Sequence, residues 1–325
     1  MRDSIAACRR RLRILAAALA CALPVACACT PRRSAKALQI VMVTKALDSE
    51  WWQRVKAGAE EAARAVGDVK LVVLAPEREI NIDQQVAILE DQIVKGVAAM
   101  AVAPAGVAEV IPVLEKSKAA GIPVLIFDTD VPWTGKLSFI GLDNRLGGRL
   151  AGEHIVRVLK GRGKVAVIRG VLGVATHEER VAGFREAIAE APGIQLVSIQ
   201  PANSERALGM AVMENLLTSH PDLRAVFATN DQMALGAVEA VAGRRLTGKI
   251  VVVGFDATYE AVRAVQAGLL SATLAGYPEL MGKLAVEQAV KVARGQPIPP
   301  QIGIPTVVVT AENAGAFLPQ GLSRE

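Results

Sequence analysis

Val124-Leu-Ile-Phe-Asp128 and Val251-Val-Val-Gly-Phe-Asp256 decide how this chain folds. Each is a short apolar run that ends in Phe-Asp. A continuous apolar run bounded by polar residues reads as a strand covered on both faces of a parallel sheet. An acid just past the last apolar residue then stands at the carboxyl edge of that sheet, where open α/β sheets bind ligands. Two such strands, in separate halves of the chain, predict two similar sheets with one acid each. If the halves face each other, both acids enter one cleft. A carboxylate there accepts two hydrogen bonds, which suits neighbouring hydroxyls on a small polyhydroxylated molecule.

Working outward, apolar runs alternate with helical patterns. Strands are expected at 39–44, 70–75, 98–103, 123–127, 137–140, 164–169, 194–199, 224–228, 250–254 and 271–274. Helices are expected at 50–66, 82–95, 106–119, 145–159, 178–190, 204–219, 232–241, 259–267 and 278–293. This alternation predicts parallel sheets with helices on both faces. The pattern restarts near Lys164, so two lobes are expected, 38–142 with 277–305 and 143–276 with 306–325. The lobes also begin alike. The polar loops Thr44-Lys-Ala-Leu-Asp-Ser-Glu-Trp-Trp and Val171-Leu-Gly-Val-Ala-Thr-His-Glu-Glu-Arg each open a helix carrying a glycine, Gly58 and Gly183.

The first 29 residues read as an export leader. Arg2, Arg9, Arg10, Arg11 and Arg13 precede an apolar stretch from Ile14 to Val25 that is too short to span a bilayer. Pro24-Val-Ala-Cys-Ala-Cys29 follows, and residues 30–37 read as a tether. Ala26-Cys27-Ala28 fits ordinary signal-peptidase cleavage, and Cys27 or Cys29 after alanine fits lipid attachment. We expect an extracytoplasmic protein, in the periplasm or at the cell surface, with a lipid anchor. All four cysteines fall in this leader, so the remainder has neither a disulfide nor a thiolate metal site. Of the formal net charge of +5, the leader's five arginines and one aspartate supply four. The rest is close to neutral, which gives no argument for a nucleic-acid partner.

Several stretches resemble one family. Ala225-Val-Phe-Ala-Thr-Asn-Asp-Gln-Met-Ala-Leu-Gly-Ala237, Val251–Asp256, the run from Ser204 to Asp222 and Gly141-Leu-Asp-Asn-Arg-Leu-Gly-Gly148 are similar to the ribose-binding type of periplasmic binding protein. The resemblance runs from Leu38 to Val309. It implies two Rossmann-like lobes joined by a multi-crossover hinge, the type I periplasmic binding protein fold. It also implies a monomer that captures a monosaccharide or similar polyol and docks on an ABC permease. The same fold in a sensing role, serving a chemoreceptor or sensor kinase, is the alternative. Sugar-responsive repressors share this core but begin with a helix-turn-helix rather than a leader.

The resemblance further implies ligand contacts at Lys45, Trp51, Trp52, Asp128, Arg180, Asn230, Phe255 and Asp256. Trp51 and Trp52 would sandwich the sugar ring, Phe255 would form a wall, and the acids would accept hydroxyls. This chain has Ser204 where the family's ribose binders have an aromatic, Gly276 where they have glutamine, Ser49 for asparagine, Leu142 for a small polar residue, and the larger rings of Trp51 and Trp52 for a phenylalanine pair. The losses at 204 and 276 predict room for a sugar larger than ribose.

From the residues alone, Asp128 and Asp256 also fit helix or turn caps, and adjacent tryptophans on a helix diverge by about 100°. Asp231 is expected to cap the helix near Gln232, leaving Asn230 for the ligand. Trp133 reads as a loop anchor, and His177 and Glu179 as lesser candidates. His177-Glu-Glu-Arg lacks the second histidine of a helical zinc site, and no phosphate-cradling loop or Gly-x-Ser-x-Gly elbow occurs. A binding protein without cofactor or metal is expected, not an enzyme. A glycosidase using the two acids is the enzymatic alternative.

Overall fold

A computed structural model describes residues 37–319. The leader, the tether apart from Ala37, and residues 320–325 lie outside that range, and with them both candidate lipidation sites. The first half runs β1 (Leu38–Val43), α1 (Glu50–Val66), β2 (Val69–Leu74), α2 (Ile82–Lys95), β3 (Ala99–Val102), α3 (Val107–Ala119), β4 (Val124–Phe127) and β5 (Phe139–Leu142). The second runs α4 (Asn144–Val158), β6 (Arg162–Arg169), α5 (Ala175–Ala189), β7 (Gly193–Pro201), α6 (Arg206–Ser219), β8 (Leu223–Ala228), α7 (Asp231–Gly243), β9 (Val251–Val253), α8 (Tyr259–Gln266) and β10 (Thr273–Ala275). The chain then returns through α9 (Pro278–Ala293) and β11 (Gln301–Ile304) and ends on β12 (Val307–Val309) and a short 3-10 turn.

The sheets repeat one topology. The first is ordered β2-β1-β3-β4-β5-β11 and the second β7-β6-β8-β9. All pairings within them are parallel. β10 joins the second through bridges Val253↔Ala272 and Asp256↔Ala275, and pairs antiparallel with β12. The strands that open each sheet are fully buried toward their carboxyl ends: Ile40–Val43 and Val165–Ile168. That burial is why they read as unbroken apolar runs.

The chain passes between the two sheets three times, after Leu142, after Ala275 and after Ile304. Tyr277 makes the middle passage with φ 47°, a left-handed backbone, and Pro278 then starts α9 at a position where its missing N–H costs no helical bond. The shared glycines fit close helix packing. A Cβ on Gly58 would lie 2.0 Å from the Glu279 carbonyl on α9, and one on Gly183 would lie 1.9 Å from the Arg145 carbonyl on α4. Both lobes therefore seat their opening helix backbone-to-backbone against a neighbour.

The structure corrects several elements. β5 lies two residues later than expected, because Leu137 is exposed while Ile140–Leu142 are buried. β11 and β12 were not anticipated; neither sits in an alternating or strongly apolar run long enough to stand out. α5 begins at Ala175 rather than Glu178, which puts His177 in its first turn. α6 begins at Arg206, and Asn203 and Ser204 stay in the loop with φ 48° and 64°.

Candidate ligand-binding site

The two Phe-Asp acids emerge as equivalent corners. Asp128 follows β4 with φ 63°, and Asp256 follows β9 with φ 118°. Left-handed backbone is uncommon for residues other than glycine. Here it is held by sheet bonds, Asp128 N–H to the Ile140 carbonyl at 2.9 Å and Asp256 N–H to the Leu274 carbonyl at 2.7 Å. The turn aims both carboxyls into a single cleft lined by residues from both lobes.

Each acid faces a buried cation. Lys45, from the loop after β1, puts Nζ 2.8 Å from Asp128 Oδ2 and 3.6 Å from Glu79 Oε1. Thr129 Oγ1 donates to the same Asp128 oxygen. Lys45 also reaches Thr176 Oγ1 in the other lobe at 3.5 Å. On the far side, Arg180 Nη1 is 3.6 Å from Asp256 Oδ1. Its stronger bonds go elsewhere, from Nε to Asn144 Oδ1 at 2.9 Å and from Nη1 to the Thr229 carbonyl at 2.7 Å. Burial pushes the Asp256 carboxyl well above the usual carboxylate range against the pull of Arg180, with Asp231, Asp128 and Glu79 adding to the rise. Burial lowers the Arg180 guanidinium and leaves His177 well below its ordinary value, helped by Arg180, Lys45 and Arg169.

The lobes are closed on each other. Arg78 pairs with Glu205 across the cleft mouth, the Tyr259 N–H that starts α8 donates to Glu50 Oε1 at 2.5 Å, and Arg54 Nη1 donates to the Ala257 carbonyl at 3.0 Å. Trp51 and Trp52 are buried, and both line the cleft. Trp52 meets Phe127 edge-on with ring centroids 6.4 Å apart, and Lys45 Nζ lies 5.9 Å from its ring.

Of the eight residues predicted from sequence, Lys45, Trp51, Trp52, Asp128, Arg180, Asn230 and Asp256 line the cleft. Phe255 does not. It is fully buried behind Arg180, whose guanidinium carbon sits 3.5 Å from its ring centroid, so it props the arginine rather than forming a wall. The helix cap expected at Asp231 falls instead on Asn230, which also lines the cleft. Asn230 has extended backbone and accepts from Met233 N–H, which makes it the cap of α7; its Nδ2 donates to the Ser204 carbonyl at 3.3 Å. Asp231 is the first helical residue, wholly buried, and accepts from Thr258 N–H, Thr258 Oγ1 and Thr273 Oγ1. Trp133 lies outside the cleft, donating Nε1 to Glu115. Glu179 is exposed.

The room expected at Gly276 is not there. A Cβ on Gly276 would lie 2.6 Å from Leu142 Cδ2 and 2.9 Å from Trp51 Cη2. The larger ring and the leucine occupy the space a longer side chain would need, so three departures compensate one another. Sequence reasoning missed Glu79. The charged run Pro76-Glu-Arg-Glu79 directly after β2 was the available signal, since loops at the carboxyl edge of a sheet form its site. Among the described residues no cluster of His, Cys, Asp or Glu could hold a metal ion, and no helix is long and apolar enough to cross a membrane.

Residues 40–297 match the model of the periplasmic binding protein domain. The ribose import binding protein of Haemophilus influenzae is 34% identical over 271 residues, which cover 83% of this chain and 91% of that protein. A solved ABC transporter periplasmic solute-binding protein from Actinobacillus succinogenes, with bound D-allose, superposes with a TM-score of 0.81 at 34% identity, covering 86% of this chain and 99% of that one. One from Bacillus halodurans, with bound myo-inositol, gives a TM-score of 0.82 at 28% identity, covering 86% and 97%. Two repeated sheets, three crossings, a cleft with an acid from each side and these matches agree: the chain belongs to the periplasmic binding proteins of the ribose-binding type.

Proposed function

We propose that this protein captures a monosaccharide, or a polyol with similar neighbouring hydroxyls, between its lobes and delivers it to an ABC permease. The observation that carries the reading is the paired Phe-Asp corners, which bring Asp128 and Asp256, each with a buried cation, to opposite sides of one closed cleft. Lys45, Asp128, Arg180, Asn230 and Asp256 would supply the polar contacts, and Trp51 and Trp52 the stacking faces. Phe255 would act through Arg180. Charge-assisted hydrogen bonds and aromatic packing against apolar C–H faces would supply the binding energy. Ligand would favour the closed state because only there do both lobes touch it. The relative named as an import protein supports transport over sensing. The relatives it matches are named as import and solute-binding proteins, and we assign no catalysis.

The lobes would divide at 142/143, 276/277 and 305/306. We further propose a monomer exported across the membrane and anchored through a lipid on Cys27 or Cys29. The test is a thermal-shift screen of the protein against pentoses, hexoses, deoxy-sugars and inositols. A ligand at 100 times its dissociation constant adds about 2.7 kcal/mol of stability. Asp256→Ala should abolish that shift and keep the native circular dichroism. A full shift in Asp256→Ala, or none from any sugar with folded wild type, would refute the reading.

A further inference from the structure

A hydrogen-bonded chain runs from the buried end of β6 out to the cleft. It starts at Gly170 N–H, which donates to Thr229 Oγ1 at 3.0 Å. Thr229 is wholly buried, and the acceptor for its hydroxyl proton is His177 Nδ1 at 2.9 Å. A buried hydroxyl donor needs a partner, so Nδ1 is the bare nitrogen of the ring. Burial and the neighbouring Arg180, Lys45 and Arg169 keep His177 neutral, and a neutral imidazole with bare Nδ1 carries its proton on Nε2. That N–H meets Ser204 Oγ at 3.1 Å. Ser204 therefore accepts from the histidine, and its own proton is free to donate into the cleft. Bonds aligned this way strengthen one another.

The surroundings fit a built feature. A Cβ on Gly170 would lie 2.2 Å from His177 Nε2, so glycine leaves the ring its room. Asn230 Nδ2 holds the Ser204 carbonyl. Glu79 Oε1 is 3.9 Å from the same Nε2 and is an acceptor arriving from the other lobe. The corner thus offers one donor and one acceptor, the complement of a hydroxyl group.

We infer that Ser204, oriented by His177 and Thr229 and faced by Glu79, is a specificity-determining corner that reads a hydroxyl substituent of the ligand where the family's ribose binders place an aromatic. The ligand hydroxyl accepts from Ser204 and donates to Glu79. Ser204 makes the contact; His177 is its positioning residue. This rests on the sugar reading and narrows it to ligands with a hydroxyl, not a C–H face or a methyl, at that point.

Isothermal titration with D-ribose, D-allose, D-galactose and myo-inositol selects the tightest probe, whose monodeoxy analogues are then titrated. Loss of one hydroxyl should weaken wild type about tenfold. Ser204→Gly tolerates the left-handed backbone; it should weaken the parent probe by a similar factor and bind that deoxy analogue as wild type does, since neighbours in one network are not additive. His177→Phe should give the same pattern. The 15N spectrum of His177 should show bare Nδ1 and protonated Nε2, and the ring should stay neutral at the pH where an ordinary histidine is half protonated. If a sugar binds and Ser204→Gly keeps both affinity and deoxy discrimination, the corner is wrong and the sugar reading stands. A proton on Nδ1 overturns the relay. No binding by the folded wild type overturns both.

Discussion

The two Phe-Asp corners share sequence, backbone turn and place in their sheets, yet they manage charge in opposite ways. Asp128 is met directly by Lys45 at 2.8 Å. Asp256 stands 3.6 Å from an arginine whose shorter bonds go to neutral acceptors. At the carboxyl edge of the first lobe's sheet, between the ends of β1 and β3, the buried polar group is a neutral amide. Gln85 donates to the Thr44 and Ala103 carbonyls and accepts from Ala105 N–H. Beneath the second corner it is the carboxyl of Asp231. A Cβ on Gly254 would lie 2.2 Å from Asp231 Oδ1, which explains why the second motif reads Val-Gly-Phe-Asp and the first Ile-Phe-Asp. A repeated fold fixes where the acids stand, and local partners set how each is charged.

The largest expected effect comes from deleting the two cations. Arg180→Met leaves a buried acid, the Thr229 carbonyl and Asn144 Oδ1 without their partner, and removes the stack on Phe255. Breaking such a network costs about 3–5 kcal/mol. Lys45→Met takes the cation from Asp128 and the partly exposed Glu79 but leaves Asp128 its Thr129 bond, and about 1–3 kcal/mol is expected. Urea unfolding of both variants measures the difference. Equal losses would mean that the corners are energetically alike and that the contrast drawn from geometry is empty.

The contrast between these buried polar groups is sharpened by pH. Burial raises Asp231 from 3.8 to about 7, outweighing its hydrogen bonds from Thr273 and Thr258. The folded protein then holds a proton that the unfolded chain releases above 3.8. This stabilising contribution is complete below that value and is lost as pH rises through about 7. The slope reaches about 1.4 kcal/mol per pH unit for one proton. Asp256, also raised by burial, adds in the same direction. Asp231→Asn should flatten the fall in melting temperature across that window relative to wild type. A parallel curve would show that Asp231 is ionised like any surface acid.

Much of this was legible in the residues. The apolar runs before Asp128 and Asp256 announced covered parallel strands, and their carboxyl ends announced the cleft. Lys45 and Arg180 followed from the family resemblance, and the structure sets them at the start of the first lobe's site loop and in the second turn of α5. The misreadings share a cause: each depended on packing between distant segments. Asn230 and Asp231 both make good caps in isolation, and only Thr258 and Thr273, brought by β10 and the loop before α8, draw Asp231 inward. Phe255 looked like a wall because nothing local says that Arg180 lies across it. Glu79 offered only a charged run after β2, and its role becomes specific through Lys45 in its own lobe and His177 across the cleft.

Gly276 is where the two lobes can be set against each other with the smallest change. It belongs to the passage from the second lobe back to the first, and its missing side chain is replaced by Trp51 and Leu142 of the first lobe. Gly276→Gln restores the family's residue without restoring its space. Overpacking of this kind costs about 1–3 kcal/mol, and the added side chain would also push Trp51 from the ligand's ring face. Combining the change with Trp51→Phe and Leu142→Ala should recover part of the lost stability, because residues sharing one volume are coupled. If Gly276→Gln alone is neutral by thermal denaturation, the side chain has found another path, and the three departures are independent. If the triple variant regains stability and changes which sugar shifts its melting temperature, the wall of the cleft is one coupled unit spanning both lobes.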